Sequence, residues 1–292
     1  MGISREQALD CLRSDDLVGI GMEADAVRQR LHAEGVVTYA VGCEIEVGGG
    51  ATLEGVCRRI AEAVDAGGMG VRLKLRAGCD VEGMVLGIRR GFPELWIEGV
   101  TAAEIRSMAV GSGVGVRETI ARLQDAGLNA IAGDGADLDG GVAEWAEVQR
   151  AAHELGMRTA AVMVFGAGET LEQRVDFLRV AWELQEDTGG FAAFVPVAAD
   201  APGGRELDGT TAVERLKTLA VARMFLDNFR NVQAIQAGHG LKVLQAGLRF
   251  GANDVGWVSG EGASEEDVRY VIRDAGFKPA QRDAAYRAMM LN

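Results

Sequence analysis

The sequence predicts an α/β fold, a single (β/α) barrel of the TIM type with extra helices at both ends, and three observations predict it. Short β-branched runs alternate with amphipathic stretches from about residue 36 to about residue 258, the pattern of repeated βα units. Glycines such as Gly67, Gly127, Gly156 and Gly189 follow the amphipathic stretches, as helix C-caps do. A chain of 292 residues, 48% hydrophobic, has the length and core for one barrel of ~250 residues.

The expected organisation is one domain over 1–292, with an N-terminal helical extension (1–34), the barrel (36–258) and C-terminal helices (264–292). Ser4, followed by Ala8 and Leu9, begins the first helix, and Asp15-Asp16-Leu17 opens a second that runs through Met22, Ala26 and Leu31 at helical spacing. Strands are expected near 36–47, 70–76, 94–98, 128–132, 158–165, 191–197, 231–236 and 252–258. Helices are expected at 52–66, 101–108, 115–126, 142–155, 170–187, 211–228 and 239–249, where Leu, Val, Ile or Ala recur at three and four residues. Ser264-Glu265-Glu266-Asp267 starts a further helix through Ile272, with acids in its first turn. Gly276 closes it, and 279–290 is expected to be a last one.

Net charge is −13 and no basic cluster interleaves with aromatics, so no nucleic-acid partner is expected. No apolar run approaches the ~20 residues of a membrane span, and Met1 to Arg13 lacks the basic start and apolar core of a signal peptide. The expected location is cytoplasmic, without membrane contact and with reduced cysteines.

The informative strands carry charge. Side chains alternate along a strand, so one face meets the outer helices and the other the lumen. In the second expected strand Val71, Leu73 and Leu75 share one face and Arg72, Lys74 and Arg76 the other. In the first, Val41, Cys43, Ile45 and Val47 oppose Glu44 and Glu46, and in the third Leu95 and Ile97 oppose Glu94, Trp96 and Glu98. Three readings stay open: a closed salt-bridge ladder, a site with one cation left for an anionic ligand and one carboxylate suited to acid–base work, or a solvent-exposed set. Glu44, Glu98 and Lys74 are the candidate catalytic groups, and Glu46, Arg72 and Arg76 candidate ligand contacts.

Further candidates are weaker. Gly48-Gly49-Gly50 before a helix near Thr52 can offer N–H groups to a phosphate or be a shortened loop. Asp134, in Gly133-Asp134-Gly135-Ala136-Asp137-Leu138-Asp139, follows the fourth strand at the barrel end where active sites sit, though a solvated acidic loop is the simpler reading. His239, after the seventh strand, reads as a ligand contact or as packing at a helix start; Gln236, Glu169 and Asn253-Asp254 are further candidate ligand contacts, whereas His32 and His153 read as surface groups. Cys43 and Cys79 can meet at the barrel mouth, but nothing marks either as reactive, and no His or Cys pairing supports a metal site.

Long blocks of the chain resemble a known family. Val36-Val37-Thr38-Tyr39-Ala40-Val41 looks like the first barrel strand of the futalosine-pathway menaquinone enzymes. Phe165-Gly166-Ala167-Gly168-Glu169-Thr170-Leu171, Leu184-Gln185-Glu186-Asp187-Thr188-Gly189-Gly190-Phe191, Leu226-Asp227-Asn228-Phe229 and Gly251-Ala252-Asn253-Asp254 resemble dehypoxanthine futalosine cyclase and aminofutalosine synthase. Leu12-Arg13-Ser14-Asp15-Asp16-Leu17 and Ile272-Arg273-Asp274-Ala275-Gly276-Phe277 through Pro279-Ala280-Gln281-Arg282-Asp283 are similar to the cyclase. The resemblance implies a barrel of the radical S-adenosylmethionine (SAM) kind that builds or cyclises a futalosine-type nucleoside.

The departures fall on the chemistry. Relatives carry a C-x-x-x-C-x-x-C loop after the first strand, where this chain has Gly48-Gly49-Gly50, and its four cysteines, Cys11, Cys43, Cys57 and Cys79, are scattered. Ala167 stands where a His is expected, Ala77-Gly78-Cys79 replaces a Gly-Gly turn, and the region after Val258 is short. A [4Fe–4S] cluster is held by cysteine thiolates, so the expectation is no cofactor: no iron–sulfur cluster, no SAM binding and no radical chemistry. Two functions follow. One is a pseudoenzyme that assists a cluster-bearing radical SAM homologue. The other is a cluster-independent enzyme, lyase- or isomerase-like, acting on a nucleoside-like or carboxylate-bearing small molecule by acid–base chemistry in the lumen.

Overall fold

The structure, a computed structural model, describes residues 2–48, 50–76, 79–132, 135–136, 138–199, 210–235, 240–259 and 263–287. Helices α1 (Arg5–Arg13) and α2 (Leu17–Leu31) come first, started by a Ser4/Gln7 capping box and by Asp16 accepting from the Gly19 N–H. Strands β1 (Val36–Val41) and β2 (Cys43–Val47) lead to α3 (Leu53–Asp65), β3 (Gly70–Leu75), α4 (Val81–Gly91) and β4 (Trp96–Gly99). Then come α5 (Ala102–Ser112), α6 (Val116–Ala126), β5 (Ala130–Ile131), α7 (Val142–Glu154), β6 (Thr159–Phe165), α8 (Leu171–Thr188) and β7 (Phe191–Ala198). The chain continues through α9 (Ala212–Phe225), α10 (Gly240–Arg249), β8 (Asp254–Val258), α11 (Glu265–Asp274) and β9 (Lys278–Gln281).

All strand pairs are parallel. Strands β2, β3, β4 and β5 pair in sequence order, β6 pairs with β7, and β1 lies between β8 and β9. Single bridges from Phe194 to Val232 and from Gln233 to Asp254 carry the wall from β7 to β8, and β1 runs on through Gly42 into β2. This is the expected barrel, built of parallel strands alternating with helices. Between β5 and β6 no hydrogen-bonded register exists among the described residues. Helices α1 and α2 lie against α8, α9 and α10 as the predicted outer layer. No described helix is long and apolar enough to cross a membrane.

The first strand breaks at Gly42 for a packing reason. Trp257 of β8 lays its ring where side chains on two neighbouring strands would stand. A Cβ on Gly42 would lie 2.2 Å from Trp257 Cζ3, and one on Gly70 would lie 2.5 Å from Trp257 Cη2. Gly42→Ala is expected to lower stability by ~1–3 kcal/mol through this overpacking, read as a lower urea midpoint. An unchanged midpoint would mean that the ring moves aside freely.

Other boundaries also differ from expectation. Helix α4 was not foreseen, because Gly83, Gly87 and Gly91 dilute its pattern, yet Asp80 caps it and Val81, Val85 and Ile88 are buried. Strand β4 starts at Trp96, leaving Glu94 before it, and β5 shrinks to two residues. In the described part of the expected strand at 231–236, residues 231–235, only the bridges at Val232 and Gln233 form. Over the described part of the expected last helix at 279–290, residues 279–287, no helix forms: Lys278–Gln281 is a strand that pairs with Val36–Tyr39 of β1. Pro279 is compatible with it because an edge strand tolerates the missing donor.

Candidate functional site

The alternation on β2, β3 and β4 places the charged faces together. Register sets Glu44 beside Arg72, Glu46 beside Lys74 and Arg72 beside Glu98, while Ile45, Val47, Val71, Leu73 and Ile97 are buried on the other side. Arg72 Nε donates to Glu98 Oε1 at 2.9 Å, Lys74 Nζ lies 2.6 Å from Glu44 Oε1, and Arg76 pairs with Glu46. The Lys74–Glu44 contact is an ion pair, made with the acid two residues back from the register partner of Lys74. The three pairs climb from depth to mouth. Side-chain exposure is 37% and 13% for Arg72 and Glu98, 64% and 33% for Lys74 and Glu44, and 68% and 53% for Arg76 and Glu46.

The ladder does not fill the lumen. A cavity of about 770 Å³ remains, bordered by Glu44, Arg72, Lys74, Glu98, Gln233 and Tyr286, with Trp96 and Trp257 as aromatic walls. Burial opposes the Arg72 charge, but the Glu98 carboxylate outweighs it and raises the guanidinium pKa. Arg76 and Glu46 stand at the mouth outside that lining.

The floor comes from the C-terminal segment, which sequence reasoning missed as part of the site. After β9, Arg282 turns inward and meets Asp254, the first residue of β8, with Nε to Oδ2 at 2.5 Å and Nη2 to Oδ1 at 2.9 Å. Thr38 Oγ1 and the Gly256 N–H also donate to Asp254, at 2.5 and 2.8 Å. Tyr286 lies with its ring 3.7 Å from the Arg282 guanidinium carbon, and its hydroxyl accepts from Gln233 Nε2. The available signal was Arg282-Asp283 at the end of the family resemblance, and Tyr286 lies beyond that block.

Several sequence candidates belong elsewhere. Glu169 is nearly buried, accepting from the N–H groups of Gly166 and Ala167 at 2.7 and 2.9 Å and from Arg174 Nε at 2.6 Å. Burial works to raise its pKa, but those donors hold the carboxyl below the usual range. It ties a loop to α8. Asn253 is buried, accepting from Arg223 Nη2 at 2.6 Å and from the Val232 N–H at 3.0 Å, and it borders a second cavity at the base of the barrel. Asn253-Asp254 therefore does not reach the mouth, because β8 begins there. Asp134, Gln236 and His239 lie outside the described residues.

The histidines called surface groups are not. His32 is 6% exposed and bonds through Nε2 to the Arg230 carbonyl at 2.8 Å, and burial lowers its pKa. His153 is held by Thr188 and Thr159.

The fold is that of radical SAM barrels. The solved structure of methylornithine synthase (PylB) matches with a TM-score of 0.69 at 14% identity, over 96% of this chain and 95% of that one. The hydrogenase maturase HydG from Carboxydothermus hydrogenoformans matches at 0.68 and 13%, over 98% and 78%. Sequence narrows the class. The chain is 32% identical to a cyclic dehypoxanthine futalosine synthase of Streptomyces coelicolor, over 99% of this chain and 86% of that protein. It is 33% identical to an aminodeoxyfutalosine synthase of Thermus thermophilus over 70% of this chain, spanning 63% of that relative's length. Residues 188–291 match the family described as the CofH/MqnC C-terminal region. The chain belongs to the futalosine-synthase family of radical SAM enzymes, and so is related to menaquinone biosynthesis.

This kinship corrects the expectation of a protein without cofactor. Its homologues and structural neighbours are radical SAM enzymes, which bind a [4Fe–4S] cluster and SAM. Among the described residues, no three Cys, His, Asp or Glu side chains converge as a metal would require. The four cysteines are free and half-buried, and burial pushes each thiol up. Those four thiols do not converge as a cluster's donor set.

Proposed function

We propose that this protein binds a nucleoside-like or carboxylate-bearing small molecule in its barrel lumen, with Glu98, Glu44 and Lys74 as the polar groups that exchange protons with it. The supporting observation is the cavity itself. At about 770 Å³ it falls within the range of small-molecule sites, ~300–1,000 Å³, although three ion pairs already occupy the wall. A protein acting only as a partner for a homologue has no need of that space. The futalosine-type compounds in the names of its relatives match the combination of aromatic walls and paired charges, since rings bury against Trp while sugar hydroxyls and carboxylates take hydrogen bonds.

The chain's own residues define what the site does. Glu98 is oriented by Arg72, so one of its oxygens stays available to a ligand. Lys74 is more exposed and swings on a flexible stem, suited to an anionic group entering from the mouth.

Thermal-shift titration with futalosine and related nucleosides tests this reading. Saturable stabilisation is expected, weakened at least tenfold in Lys74→Ala and Glu98→Ala. Absence of any shift, together with co-purification of a cluster-bearing homologue, would instead establish a partner role.

A further inference from the structure

The deep end of the lumen holds hydrogen-bond donors without acceptors. Arg72 commits only Nε to Glu98, and neither of its terminal nitrogens has a partner among the described residues. The Tyr286 hydroxyl accepts from Gln233 and donates to no described group. Both residues border the same cavity and are close enough to influence each other's titration. Burial pushes the Tyr286 phenol up, so its proton stays in place.

The cations packed at Tyr286 are already matched, Arg72 by Glu98 and Arg282 by Asp254. Arg158 also borders the cavity and is exposed to solvent. A ligand carboxylate placed against Arg72 and Tyr286 would crowd the Glu98 carboxylate and share its one guanidinium, a like-charge contact that is unfavourable. An uncharged acceptor meets no such penalty. The flanking surfaces are aromatic: the Arg72 guanidinium carbon lies 6.0 Å from the Trp257 ring centroid, and Trp257 is locked between Gly42 and Gly70. Tyr286 also sits at φ 62, a conformation rare for a non-glycine residue. Such outliers persist where surrounding structure holds them and gather at ligand sites.

We infer that the deep lumen is a subsite for the uncharged, carbonyl-bearing ring of a nucleoside, with the Tyr286 hydroxyl and the terminal nitrogens of Arg72 donating to its carbonyl oxygen. This rests on the small-molecule reading of the lumen and adds an orientation to it. The ring goes in first, and any anionic group stays at the mouth near Lys74.

The experiment is calorimetric titration of the full chain with inosine, an uncharged nucleoside with a ring carbonyl, and with benzoate, a ring bearing a carboxylate. Tyr286→Phe keeps the ring and removes only the donor. It is expected to weaken inosine binding about 3- to 10-fold, the effect of one hydrogen bond to an uncharged partner, and to leave benzoate binding unchanged. Arg72→Lys keeps the charge but loses the fork, and it is expected to act in the same direction. Inosine affinity indifferent to both variants, a benzoate affinity that falls equally, or no inosine binding by a protein that binds other nucleosides overturns this inference alone. No binding of any nucleoside, in this assay and in the thermal shift, overturns the small-molecule reading as well.

Discussion

Replacing Arg282 by methionine is expected to cost about 3–5 kcal/mol of unfolding free energy, the largest single effect predicted for this chain. Both partners of the Asp254–Arg282 pair are almost completely buried. Removing the cation leaves the carboxylate inside the barrel with only the Thr38 hydroxyl and the Gly256 N–H to solvate it. Burial works against the Arg282 charge, yet Asp254 raises its pKa, so the guanidinium stays charged. The loss should propagate into the site, because the Arg282 guanidinium covers the Tyr286 ring. Urea denaturation measures the first effect, and the inosine titration the second. Asp254→Leu combined with Arg282→Met is expected to recover most of the stability, since an apolar pair of similar volume avoids the desolvation that both charges incur. A single Arg282→Met variant that lost less than about 1 kcal/mol would show that the carboxylate finds water there.

The wall of the site was legible in the sequence and its floor was not. On β2 to β4 the contrast between faces is sharp: Val71 and Leu73 against Arg72 and Lys74 fixes the inward side by period two alone. Which acid each cation binds was out of reach, because stem length and strand tilt let Lys74 take Glu44 rather than its neighbour in register, Glu46. The floor joins Asp254 to Arg282 across 28 residues of chain. It depends on β9, a four-residue strand containing a proline and stabilised by pairing with β1 rather than by local pattern. The same limit explains the histidines. Charged neighbours on a helix suggested exposure for His32 and His153, but burial was decided by what the helix meets: Arg230 on the chain after α9 for His32, and Thr159 and Phe191 on β6 and β7 for His153.

The second large effect is a loss of stability in acid traced to His153. Its ring is wedged between α7 and the barrel, with Nδ1 2.7 Å from Thr188 Oγ1, Nε2 2.9 Å from Thr159 Oγ1 and its centroid 4.7 Å from that of Phe191, edge to face. The fit is tight enough that a Cβ on Gly190 would lie 2.1 Å from its Cγ. Thr159 donates its own proton to Gln149 Oε1 at 2.7 Å and so accepts from Nε2–H. Burial, helped by the nearby cations Arg150 and Arg158, lowers the imidazole pKa to about 4. The unfolded chain has the ordinary value near 6.5, so below that pH it binds a proton that the folded ring refuses. Stability from this group is complete above pH ~6.5, declines as pH falls, and is lost by about pH 4, amounting to at most ~3 kcal/mol. Carboxylates titrate in the lower part of the same window, so the informative quantity is the difference between wild type and His153→Gln. The variant should start less stable at pH 7 and lose less on acidification, so that the two curves converge toward pH 4. Parallel curves from pH 7 to 4 would mean that the ring takes up its proton as readily in the folded protein as in the open chain.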